Sequence, residues 1–165
     1  MMKETFLTIT STAPTVRYLN HGETEVYYTF NHDPEAIDMS VVKDGCLVLD
    51  DHYGRAVGII REVQITPNWT GGVCLWLPDA GAIAEDAAKL YRRNASAELI
   101  TIKKRRVGEH LGKPLFSIDR WRLEAVALVC YPGNPTVGIE RRYCPAAGCR
   151  HGGVQSPTSV AGCQF

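Results

Sequence analysis

Up to about residue 140 the chain is written in short β-forming runs, broken once by an Ala-rich stretch. Residues 5–10 (TFLTIT) and 25–30 (EVYYTF) alternate and are rich in β-branched and aromatic residues, as strands are. Residues 46–49, 57–65 and 73–77 are further apolar, β-rich runs, and residues 98–102 and 121–131 add two more. Between them, residues 80–93 (AGAIAEDAAKLYRR) place Ile83, Ala87, Leu90 and Tyr91 on one helical face. Asp79 stands where a cap belongs, Arg92 and Arg93 suit the C-terminal end, and Asn94 suits a left-handed stop. Pro132-Gly133-Asn134-Pro135 ends the last strong strand, because Pro offers no ladder donor. This pattern predicts an α+β fold: a small barrel-like β core with one main helix, filling residues 1–140. Residues 141–165 are rich in Cys, Gly and Ser without periodicity, and read as an irregular, flexible tail outside the core.

A chain of 165 residues and 18.2 kDa suits one domain large enough to need no disulfide or metal to hold its core. Its 18 Lys and Arg balance 18 Asp and Glu, which argues against direct nucleic-acid binding, since that needs surplus cations to displace phosphate counterions. No apolar run nears the roughly 20 residues that cross a bilayer, and the opening MMKETFLTITSTAP lacks a signal-peptide core. The expectation is a cytoplasmic protein with reduced thiols, no membrane contact and no cofactor. Cys46, Cys74 and Cys130 lie in apolar runs and read as buried small hydrophobes.

Four features could carry chemistry. His52 follows Val48-Leu49-Asp50-Asp51, a strand running into a polar corner, and a His there can take a proton near neutral pH. Ser96 and Thr101 follow the helix and are hydroxyl candidates for a nucleophile, provided a base stands within hydrogen-bond reach. Glu124 interrupts the last apolar strand and could orient His52 as a third member, or could simply face solvent. Cys144, Cys149, His151 and Cys163 are four zinc-type ligands, yet their spacing is not that of a standard zinc finger. They leave a metal-stabilised binding module as one further reading. The run Lys103-Lys104-Arg105-Arg106 reads as a solvated loop, or as a contact for an acidic partner.

In order and spacing, residues 25–137 resemble the prohead (capsid maturation) proteases of tailed phages. The matching pieces are Val48-Leu49-Asp50-Asp51-His52, then Ala56-Val57-Gly58-Ile59-Ile60, then the stretch from Asp79 to Asn94. The most recognisable is LEAVALVCYPGNP, residues 123–135. The resemblance implies a serine-peptidase fold like that of the herpesvirus assembly proteases, with His52 as general base. It also implies scaffold and major capsid proteins as substrates, work inside an assembling prohead in the host cytoplasm, and self-association. Two positions depart from the family. Its Ser-x-Gly nucleophile pattern falls on Ile100-Thr101-Ile102, so that Thr101 or Ser96 would have to serve. Its acidic residue falls on Ala125, one step from Glu124, and one step along a strand reverses the face unless a bulge intervenes. A catalytically inactive relative, acting as a structural or assembly component, is therefore the alternative expectation.

Overall fold

The computed structural model describes residues 4–141 and 143. Among them run β1 (Thr5–Ser11), β2 (Thr15–Leu19), β3 (Thr24–Phe30), β4 (Ile37–Asp38), β5 (Cys46–Asp50) and β6 (Ala56–Ile60). Then come β7 (Gln64–Ile65), β8 (Trp69–Trp76), α1 (Ala82–Ala88), β9 (Ala95–His110), β10 (Lys113–Leu128) and β11 (Gly138–Ile139). All the strands join one sheet in the order β11-β1-β8-β6-β5-β10-β3-β2, with β4 and β9 also on β10 and β7 also on β8. The fold is a mostly-β half-barrel with a single helix, consistent with the α+β expectation.

β10 organises the sheet. It pairs in parallel with β3, β4 and β5 in turn, at Leu115–Ile118, Trp121–Arg122 and Ala125–Leu128. Its other edge is taken by β9, antiparallel from Lys113 opposite His110 to Leu128 opposite Ala95. A straight 16-residue strand would run about 50 Å, but this ribbon shifts register four times. Such bulges bend a strand and deepen its twist, which lets one long hairpin curl around a core. Trp121, Leu123, Val126 and Leu128 of β10 are buried in that core with Leu7, Ile9, Val48, Val57 and Ile60. The Trp121 indole N–H, buried with them, is satisfied by the Asn31 carbonyl at 2.9 Å.

Three expectations change. The helix is seven residues long, not fourteen: Asp79 binds Arg55 at 2.7 Å instead of capping, and Leu90 adopts a left-handed φ of 63° that ends the helix. Leu90 and Tyr91 are consequently exposed, and the helix packs through Ala84 and Ala87. The basic run is strand, not loop: Lys104 lies over the rings of Tyr28 and Phe116, and Arg105 pairs with Asp119 at 2.9 Å. Its long aliphatic stems cover apolar rings while the charges stay wet. Cys130 lies beyond the end of β10 and is exposed, whereas burial pushes the Cys46 and Cys74 thiols up to about 12. The zinc-type candidates Cys144, Cys149, His151 and Cys163 lie outside the described residues. No helix among the described residues is long and apolar enough to cross a membrane.

A buried imidazole ties β1 to the end of β3. His32 Nδ1–H donates to the Phe30 carbonyl at 2.9 Å, so its Nε2 accepts from the Thr10 hydroxyl at 2.9 Å. Thr10 in turn meets Thr70 of β8 at 2.7 Å. Burial holds the His32 pKa below its ordinary value, partly offset by the Phe30 carbonyl. Below pH 6.5 the unfolded chain therefore takes up a proton that the folded chain refuses, and folding loses free energy as the pH falls. Wild-type thermal stability is expected to drop on acidification below about pH 6.5. In His32→Gln this part of the drop should be absent from melts recorded across the same range.

Candidate active site

The corner after β5 is built under backbone strain. Asp51 and Tyr53 hold left-handed φ values of 69° and 63°, which non-glycine residues adopt at a cost. Gly54 closes the turn so tightly that a Cβ there would sit 1.6 Å from the Asp50 carbonyl oxygen. The corner is tied down on each side: Asp50 N–H donates to the Arg55 carbonyl at 2.9 Å, and Asp51 N–H to the Leu128 carbonyl at 3.0 Å. The Asp50 carboxylate accepts from Arg92, and that hydrogen bond raises the Arg92 pKa. His52, between the two left-handed residues, is thereby held across the end of β10.

Its imidazole reaches β9. His52 Nδ1 hydrogen-bonds the Glu98 carboxylate, an interaction between a half-exposed ring and a partly buried acid. A carboxylate only accepts, so neutral His52 carries its proton on Nδ1 and leaves Nε2 as a base. Ser96 and Glu98 lie two residues apart on β9 and so share a face. Across the ladder they oppose Ala127 and Ala125. These side chains are small, so nothing bulky on β10 stands between the corner and β9.

His52 and Ser96 both line a cleft of about 460 Å³. Its other walls are the end of β1, most of β2, the start of β9 and the loop 131–134. Asn134 of that loop is buried, donating to Ser11 Oγ and Thr15 Oγ1 at 3.0 Å each and accepting from Thr136 Oγ1 at 2.6 Å. Gly133 lets the loop lie against β2: a Cβ there would meet the Val16 carbonyl oxygen at 2.9 Å.

The sequence candidates therefore separate. His52 and Ser96 come together in one cleft. Thr101 does not join them: it pairs with the fully buried Trp121 and shares that side of the sheet, five residues along β9 from Ser96. Glu124 does fall at a register shift, between Leu123 and Ala125, but its carboxylate accepts from Arg122 at 2.8 Å and 3.2 Å. The acid at His52 is Glu98, which sequence reasoning missed. The spacing Ser96-x-Glu98 on a strand was the available signal, since a period of two puts both on one face. Against family models, curated proteins and solved structures, the chain finds no match.

Two outcomes follow from this geometry. Gly54→Ala should cost more than about 1 kcal/mol in thermal or denaturant unfolding, because the corner must open to admit a Cβ. Side-chain 15N NMR near neutral pH should show His52 as the Nδ1–H tautomer, and Glu98→Ala should return it to a tautomer mixture.

Proposed function

We propose that the chain is a serine-type endopeptidase of the prohead-protease kind, acting on scaffold and capsid subunits inside an assembling prohead in the host cytoplasm. Ser96 is the nucleophile, His52 the general base, and Glu98 the carboxylate that orients it. The observation that carries this reading is the Glu98–His52 hydrogen bond at a cleft that Ser96 also lines. A hydroxyl is a poor nucleophile until a base takes its proton, and a base must present the correct nitrogen. In the reaction, the Ser96 proton passes to His52 Nε2 as Oγ attacks the scissile carbonyl carbon. The C–N bond breaks when His52 returns that proton to the leaving amine. Water then cleaves the Ser96 ester by the same two proton transfers.

The register gives independent support. The resemblance puts the family's acid at Ala125, and Ala125 is the cross-strand partner of Glu98. Directly opposed residues share a face, so an acid lost on β10 and gained on β9 still meets the same imidazole. The alternative, a catalytically inactive assembly component, is favoured by one fact: among the described residues no hydrogen bond joins Ser96 to His52. In an unliganded site that bond is often loose and tightens only with substrate.

Incubation with diisopropyl fluorophosphate distinguishes the two. The expected result is a single covalent adduct on Ser96, mapped by mass spectrometry. It should be lost in Ser96→Ala, and its formation slowed at least about a thousandfold in His52→Ala. Thr101→Val and Glu124→Gln should label at the wild-type rate. An unlabelled wild type would assign the inactive role.

A further inference from the structure

Among the described residues the cleft holds a cation with an unpartnered buried nitrogen. Arg17 of β2 lines it, and the Arg17 Nε is shielded from solvent yet makes no hydrogen bond. Among the described residues the guanidinium enters no ion pair either. Native structures seldom leave a buried donor unpaired, and such a group calls for an acceptor. The paired strand does not supply one. Arg17 stands opposite Val26, whereas Glu25, the carboxylate on β3, stands opposite Tyr18 on the other face. There Glu25 accepts from the Tyr27 hydroxyl at 3.2 Å.

The rest of the cleft is equally short of negative charge. Among the described residues its lining contains neither Asp nor Glu, and His52 is its one other titratable base. The wall beneath Arg17 is neutral, with Thr15 Oγ1 already accepting from Asn134. An arginine fork matches a carboxylate in plane and spacing, and a partly desolvated cleft strengthens that bond. β2 is also the last strand of the sheet order, and among the described residues no strand pairs with its outer edge. Loop 131–134 takes that edge only at Val16, whose N–H donates to the Gly133 carbonyl at 2.9 Å.

We infer that Arg17 is a specificity-determining residue, forming a subsite for a Glu or Asp side chain of a peptide bound in this cleft. The subsite rests on the reading of the cleft as a peptide site, and it deepens that reading by naming the substrate's chemistry. Arg17 binds and positions, and transfers no proton.

The test measures binding, not turnover. The full-length Ser96→Ala chain is titrated with acetyl-Ala-Ala-Glu-Ala-Ala-amide and with its Gln analogue, followed through the Arg17 Nε–H resonance. The Glu peptide should bind about tenfold more tightly than the Gln peptide and move that resonance. Arg17→Gln should abolish the preference, and Arg17→Lys should keep only part of it, because Lys lacks the fork. The Gln peptide carrying a free C-terminal carboxylate in place of the amide separates side-chain from chain-end recognition. Equal binding of the amidated Glu and Gln peptides to the Arg17 chain overturns the inference without any variant. So does a Glu preference that survives in Arg17→Gln, or a preference for the chain end alone. Glu-selective binding in a protein that diisopropyl fluorophosphate never labels would keep the subsite and remove the peptidase.

Discussion

Everything in this sheet is arranged around a strand with both edges occupied. β10 gives one edge to three short parallel strands in succession and the other to β9. Because β5 takes the last part of that edge, the corner that follows β5 lands beside the end of β10. Because β9 begins at that same end, its first residues face the corner from the opposite side. A two-strand step, bridged over alanines, thus puts His52 beside Glu98 although 46 residues separate them in the chain. The site is a consequence of pairing order, and the strained corner only finishes it.

Local pattern reached much of this. The alternating run at 25–30 is β3, because one face of it is buried and alternation reports that directly, and the short apolar run at 46–49 is β5. It failed where the rule it used was overridden from a distance. The run Lys103–Arg106 is unlike a strand in composition, and it is one because β10 supplies a ladder and Tyr28 and Phe116 supply a surface for Lys104. The helix prediction overran at its start because Asp79 is claimed by Arg55, a residue 24 positions earlier, and at its end because Leu90 turns left-handed. Ser96 and His52 were legible as chemistry. Glu98 was missed: its two-residue spacing from Ser96 tells only that the two share a face of β9, and nothing local marks the ring that crosses to it.

Glu124 and Glu98 show how strand parity decides such questions. The bulge between Leu123 and Ala125 frees Glu124 from the ladder, the condition under which it could have turned toward the imidazole. Arg122, two residues back on the same face, captures it first. A neighbouring guanidinium is available at little entropic cost, whereas His52 is reached only from the next strand. The acid that meets the ring is the one with no such neighbour at i±2: Ser96 and Ile100 flank Glu98 on its face of β9.

The two walls of the cleft are held by different physics, and that bears on how it responds. The His52 wall is electrostatic and strained: left-handed residues, an Arg92–Asp50 pair and an imidazole on a carboxylate. The opposite wall is neutral, with Ser11, Thr15, Asn134 and Thr136 satisfying one another and carrying no group that titrates in the physiological range. Such a network keeps its geometry as pH and salt change, because neither protonation nor screening acts on it. Loop 131–134 and the start of β2 therefore form a fixed floor, while the side chains that can answer a ligand are the Arg17 cation and the His52 imidazole. If the cleft takes a peptide as proposed, such an arrangement would orient the incoming chain by its charge and leave the backbone with nothing to rearrange, the economical way to present a peptide bond to a hydroxyl.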